Sequence, residues 1–214
     1  MNRRWAIEPL LASLCLTTAG LGVSACALLN KSEVVRVRYF SPEDVSPAKP
    51  AQSSASRMGM RLGRVSSGSD LRERIAYRAD SYETGYYDNL RWTERPETYL
   101  RRALARTLFE THGFQGLLGG SAPTLDAELL AFEEVQHSAQ RAGRVRLRIT
   151  LHHDRRVLIE QTLDFQQTAA GTRFEDVVAA LAKALNAAAE STAQRVEVAL
   201  SKEVPVSDLA PASN

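Results

Sequence analysis

Four histidines, two cysteines and a pair of adjacent glutamates are the first places to look for chemistry in this chain of 214 residues. His152 and His153 precede Asp154 in the stretch LHHDRRV. Imidazole beside carboxylate is the raw material of metal centres and of proton transfer. A metal centre, however, needs a third and a fourth ligand, and neighbours on a strand point to opposite faces. The segment reads as a hairpin turn, and no metal is expected. His112 stands before Gly113 at a helix end, where a cation complements the helix dipole, and His137 falls in a polar loop. The stretch GGSAP around Ser121 lacks the second glycine and the strand-to-helix setting of a nucleophile elbow. RLGRVSSGSD has glycine and serine but opens no helix that would cradle phosphate. Glu133 and Glu134 are strand neighbours facing opposite ways, which reads as solvated charge. No catalytic residues are expected, and the chain reads as a non-enzyme.

The one residue with a definite chemical assignment is Cys26. Arg3 and Arg4 precede an uncharged run of small and apolar residues from Pro9 to Ala25. That run is short for a membrane span and reads as a signal peptide. It ends in Val23-Ser24-Ala25-Cys26, which resembles the bacterial lipobox, where the cysteine is lipidated and becomes N-terminal after cleavage. Cys15, the other cysteine, leaves with the signal, so the mature body has no disulfide. The only non-peptide group expected is covalent, diacylglycerol and a fatty acyl chain on Cys26. Each buried methylene contributes about 0.8 kcal/mol, so two or more chains anchor firmly where one is marginal. Residue 27 is Ala rather than an inner-membrane-retaining Asp. In a Gram-negative host this favours the periplasmic face of the outer membrane.

The elements that must hold any surface in place follow from periodicity. Charged residues make up 24% and hydrophobics 44%, ordinary for a folded domain, and a net charge of +2 with scattered positives argues against nucleic acid. Val35, Val37 and Tyr39 alternate with Arg36 and Arg38, a strand signal over residues 33–40. Met58, Met60 and Leu62 share a face, with Gly63 a bulge position. RERIAYRA and SYETGYYD are two further strands about a turn at Asp80 and Ser81. Pro96 opens a helix to about Thr111, with Leu100, Leu104 and Leu108 on one side. Three strands follow: Leu125, Ala127, Leu129 and Ala131 alternate in the first, Val145, Leu147, Ile149 and Leu151 in the second, and Val157, Ile159, Leu163 and Phe165 in the third. A long helix over 172–200 carries Phe174, Val178, Leu181, Leu185, Ala188, Thr192 and Val196 as its apolar stripe. The expected fold is α+β, a two-layer sandwich of mostly antiparallel strands covered by two main helices, each half a small sheet followed by its helix. The expected divisions are a signal peptide over 1–25, a lipidated tether over 26–33, a folded domain over 34–200 and a flexible tail over 201–214.

Five of the six tyrosines and one of the two tryptophans fall between Tyr77 and Tyr99. Strand parity puts Tyr82 and Tyr86 on one face and Tyr87 on the other. Tyr77, Trp92 and Pro96 are expected to fix the corner between strand and helix. Tyr86, Tyr87 and Arg91 are expected to meet a partner, since tyrosine is enriched where one end of a side chain is apolar and the other wet.

The order LGRV, RIAYR, YYDNLRWTERPETYLRRAL, then LAFEEV resembles the ABC-type transport auxiliary lipoprotein family, which includes the paraquat-inducible lipoprotein C type. The resemblance runs over residues 34–200 and rests on Arg74 to Arg78, Tyr87, Arg91-Trp92, Pro96 and the leucine helix after it. It implies a role beside MCE-type systems that move lipids or other hydrophobic molecules between two membranes. The implied partners are an MCE-domain protein and its inner-membrane transporter, with the membrane held through the lipid anchor and a homo-oligomer possible. It implies no catalytic residues. An outer-membrane assembly or cell-wall-binding lipoprotein would use the same anchor and fold class.

If Cys26 carries the anchor, a radiolabelled fatty acid enters the wild-type protein and not Cys26→Ser. The substituted protein should also leave the membrane fraction; label and sedimentation retained together would dismiss the lipobox.

Overall fold

The structure is a computed structural model that describes residues 35–43, 58–137 and 140–203. Cys26, the signal peptide, the tether and the tail from Val204 lie outside these residues. Among the described residues no helix is long and apolar enough to cross a membrane.

The strands are β1 (Arg38–Phe40), β2 (Gly59–Ser67), β3 (Arg74–Arg78), β4 (Thr84–Trp92), β5 (Gln115–Gly116), β6 (Thr124–His137), β7 (Gln140–His153) and β8 (Arg156–Thr168). Two helices complete the fold. α1 (Pro96–Ala105) continues into a π-helical turn, Arg106–Thr111, and α2 spans Phe174–Glu203. The fold class is α+β, with the strands in one mixed sheet rather than a separate sheet in each half. β6 is the reason. Its one edge takes β7 along its whole length, antiparallel. Its other edge is divided, with β2 running parallel along Thr124–Leu129 and β3 parallel along Glu133–Val135. β4 and then β1 extend the sheet beyond β3, and β8 extends it beyond β7.

Among the described residues the register shifts in four places, two of them between Arg74 and Ala76 of β3 against β4 and between Leu151 and His152 of β7 against β8. β2 shifts against β6 between Leu62 and Val65, where Gly63 was expected to bulge. β6 shifts against β7 between Leu129 and Ala131. Leu125, Ala127 and Leu129 therefore face the helices as expected, but Phe132 takes the next inward place, not Ala131. Of the described residues 35–40 in the expected first strand, Arg38–Phe40 form β1 by pairing with β4.

Both helices cover one face of the sheet. Every residue of the expected α2 stripe is buried, Thr192 included, whose hydroxyl donates to the Ala188 carbonyl at 2.7 Å. Helix and sheet approach closely at Gly143 of β7, where an added Cβ would collide with the backbone of Leu181. The end of the π-helical turn is tied to α2 by His112, whose two ring nitrogens lie 3.1 Å from Glu190 and 3.4 Å from Glu197. The opposite face carries ion pairs, including Arg148 with Glu128 and Arg144 with Asp164.

The strand-to-helix corner is built as its sequence implied, with one exception. Trp92 is buried against Phe132 at 5.1 Å and Tyr99 at 6.2 Å. The Tyr99 hydroxyl sits under the turn, 2.7 Å from the Thr93 hydroxyl and 3.0 Å from the Glu94 N–H that donates to it. Pro96 is buried at the first helical position. Tyr77 is not part of this corner. The β3–β4 ladder sets it opposite Gly85, at the far end of the hairpin from Trp92, and its ring fills the space that a Cβ at Gly85 would take.

Trp92→Ala would leave a cavity that sheet and helix cannot both close, and should cost about 3–5 kcal/mol. Denaturant unfolding measures it; a loss well under 1 kcal/mol would mean that the corner does not depend on the indole.

Candidate functional site

The aromatic stretch divides between the two faces of the sheet, as parity requires. On the open face, Tyr86 lies under the Arg74 guanidinium at 5.2 Å, and its hydroxyl donates to the Asp70 carbonyl at 3.3 Å. Tyr82 stands in the preceding turn and is fully exposed. That turn is set by Asp80, whose carboxylate accepts the N–H groups of Tyr82 at 2.7 Å and Glu83 at 2.9 Å. Arg91 turns back on its own strand and donates to the carbonyls of Tyr87 at 2.9 Å and Leu90 at 2.8 Å.

Tyr87 points the other way, beneath the start of α2. Its ring meets Tyr77 at 5.1 Å and Phe174 at 5.3 Å, and Phe174 in turn meets Phe40 at 4.9 Å. Its hydroxyl donates to Glu134, which has no solvent exposure. Arg141, across the β6–β7 hairpin, donates to the other oxygen of that carboxylate. The same guanidinium reaches the Tyr87 oxygen at 3.2 Å and the Thr172 carbonyl at 2.5 Å, and Gln136 donates to the Tyr87 oxygen at 3.0 Å. Four polar groups from β4, β6 and β7 thus close on one another under an aromatic lid. Tyr87 is therefore not a free surface tyrosine, whereas Tyr86 stands half-buried on the open face.

Glu133 and Glu134 face opposite ways as expected, but neither is solvated. Glu133 retains only 3% exposure beneath Arg78, which grips it through two nitrogens at 2.8 and 3.2 Å, and Arg144 at 3.5 Å. The sequence alone pointed to solvated charge because the partners sit on other strands. One signal was available: Glu134 shares the inward parity of Phe132, and Arg141 and Arg144 follow within the same hairpin.

The electrostatics suit a structural clamp. Burial, chiefly, together with the hydrogen bond to Glu134, pushes the Tyr87 hydroxyl up to about 12. Arg141 is raised too, mainly by its bond to Glu134. A hydroxyl held protonated by a carboxylate it donates to is a poor nucleophile and a poor acid. The histidine pair at the β7–β8 turn fares no better as a catalyst. The Ser121 hydroxyl lies 3.4 Å from His153 but donates to Asp154 at 2.5 Å, so the acid bonds the hydroxyl rather than orienting the imidazole. His152 is paired separately with Asp126 at 3.2 Å. Asp154 adopts a positive φ of 53° in the β7–β8 turn, which agrees with the hairpin expected there. Among the described residues no group of three metal-ligating side chains converges.

The clamp makes stability depend on alkaline pH with a definite sign. The unfolded tyrosine ionises near 10 and the folded one near 12. Between those values the unfolded state has lost a proton that the native state keeps, so stability falls as pH rises. Tyr87→Phe should be less stable at neutral pH and should show a shallower decline between pH 10 and 12. Equal slopes for the two proteins in urea titrations would mean that the hydroxyl is not held by Glu134.

Comparison with known proteins agrees with the architecture. A model of the family described as ABC-type transport auxiliary lipoprotein component matches residues 43–193. A solved structure from Xanthomonas campestris, labelled with the family name DUF330, superposes with a TM-score of 0.67 at 17% identity, covering 78% of this chain and 98% of that one. A second solved structure, of an uncharacterized protein, gives a TM-score of 0.56 at 15% identity over 75% of this chain and 99% of the other. At these identities the likeness speaks for the fold. No curated protein sequence matches. The family match spans most of the chain, and the protein belongs to the ABC-type transport auxiliary lipoprotein family.

Proposed function

We propose that this protein is the outer-membrane-anchored accessory lipoprotein of an MCE-type ABC system for intermembrane lipid transport, and that it acts by binding the periplasmic MCE component. The observation that carries the reading is membership of a transport auxiliary lipoprotein family in a chain whose first residues resemble a signal peptide ending at a lipobox cysteine. An ABC transporter follows from the family; the MCE partner, the outer membrane and the lipid cargo are the finer part of the proposal. Acyl chains on Cys26 hold the protein to the periplasmic face, and Ala27 directs it outward in a Gram-negative host. The domain contributes a binding surface rather than catalysis. Tyr86, beside Arg74 on the open face, belongs to that surface; Tyr87 and Arg91 support the strand that presents it.

Crosslinking in intact cells, followed by recovery of the anchored protein, tests the reading. An MCE-domain protein should be among the major crosslinked species, and Tyr86→Ala should weaken its capture about tenfold while leaving the melting temperature unchanged. Cell-wall material or outer-membrane assembly proteins in its place would overturn it.

A further inference from the structure

β8 is an open edge of the sheet. It pairs with β7 on one side, and no strand pairs with its other side among the described residues. Such an edge presents unmet N–H and C=O groups and is a template for another strand, which is why natural proteins blunt exposed edges with proline, lysine or a bulge. The 13 residues of β8 contain no proline and no lysine, and its one bulge, at Leu158, leaves Ile159–Thr168 in unbroken register with β7. Beside this edge, toward the C-terminal half of α2, runs a groove of about 620 Å³. Val157, Leu158 and Ile159 line it from β8, and Arg195, Val198 and Lys202 from α2. Consecutive strand residues point to opposite faces. Here Val157, Ile159 and Gln161 share one parity and Leu158 is the extra residue of a bulge, so the groove lies between α2 and the helix-covered side of this edge strand.

The charge on the walls is unbalanced. Three cations line the groove, with a single acid, Glu203, which Arg156 already holds. The Nε of Arg195 is shut off from solvent and has no hydrogen-bond partner among the described residues. A buried guanidinium N–H left unmet is costly, and a turn of the Arg195 side chain onto a carboxylate in the groove would supply the strong partner for it.

We propose that this groove receives an extended polypeptide segment that adds to β8 as a further strand. Alternate apolar side chains of the segment lie against Val157, Ile159 and Val198, and a carboxylate of the segment meets Arg195. Strand addition explains both features at once: main-chain bonds satisfy the edge, and pockets for alternate side chains set the preference. An acyl chain would fill the apolar part but could not satisfy the N–H and C=O groups of β8. The inference concerns the segment's chemistry and holds whichever protein carries it, so it does not depend on the MCE reading.

The probe is a peptide of about nine residues, alternating valine and threonine with one central aspartate, long enough to run beside much of β8 at roughly 3.4 Å per residue. Binding is measured by fluorescence anisotropy on the full lipidated chain in nanodiscs, with amide hydrogen exchange reporting on β8. Saturable binding with slowed exchange along β8 is expected. Replacing the central aspartate by lysine should weaken binding about tenfold or more, and Arg195→Ala should abolish that preference while Arg195→Lys keeps part of it. A peptide N-methylated at alternate amides should not bind, a comparison that leaves the protein's fold untouched. Equal affinity for the N-methylated peptide would overturn the proposal. So would an absence of saturable binding by any peptide, or binding of oleate that protects β8 where the peptides do not.

Discussion

A carboxylate with no access to water must find its counter-charge inside the protein. Glu134 is such a group, and one end of the fold is arranged around it. Moving an ion out of water costs several kcal/mol, which attraction offsets only when geometry and the remaining hydrogen bonds are complete. Arg141 supplies the charge, and Tyr87 and Gln136 complete the bonding. Each arrives from a particular strand position, so the β6–β7 hairpin, the register of β4 and the docking of Phe174 are fixed together. Arg141 extends the arrangement to α2 by donating to the Thr172 carbonyl just before that helix begins. Such networks leave little freedom, because a partly bonded one is worse than an apolar core.

The same stretch of β6 serves the opposite face of the sheet. Glu133 pairs with Arg78 of β3 and Arg144 of β7, so consecutive residues bind the sheet together above and below. β3 meets β6 only here, along Glu133–Val135. The β3–β4 hairpin therefore reaches the central strand by a short parallel ladder reinforced by charge, while β6 and β7 join along their whole lengths. The helices are positioned differently, by shape. Gly143 lets α2 come down onto β7, and the alanines of α2 (Ala180, Ala184, Ala188) keep the layer thin enough for that approach.

Much of this architecture was legible in the sequence. β7, β8 and α2 announce themselves by strict alternation and by a helical stripe, because in each the solvent boundary runs along the element and periodicity reports it. Pro96 marked the helix start, and Gly63 the irregularity in β2. The parity argument separated Tyr86 from Tyr87, but parity is silent about which face is covered; that depends on where a helix from the other end of the chain comes to rest. The glutamate pair misled for a related reason. Carboxylates in a strand suggest water unless the counter-ions are known, and Arg78 lies on a different hairpin. The division of one edge of β6 between two parallel strands was not visible, since parallel pairing joins segments with no short turn to reveal them.

The position of α2 in the chain has a consequence for how the protein comes into being. It is the last described element, yet it covers the apolar face of strands laid down long before it. Until its residues are available, α1 alone can cover that face and the part over β7 and β8 stays bare, while the central ladders join segments far apart in sequence, an arrangement that slows folding. A chain made from its N-terminus would thus stay open over β7 and β8 until α2 was free to fold. A molecule halted before α2 was free to fold would be left as prey for proteases.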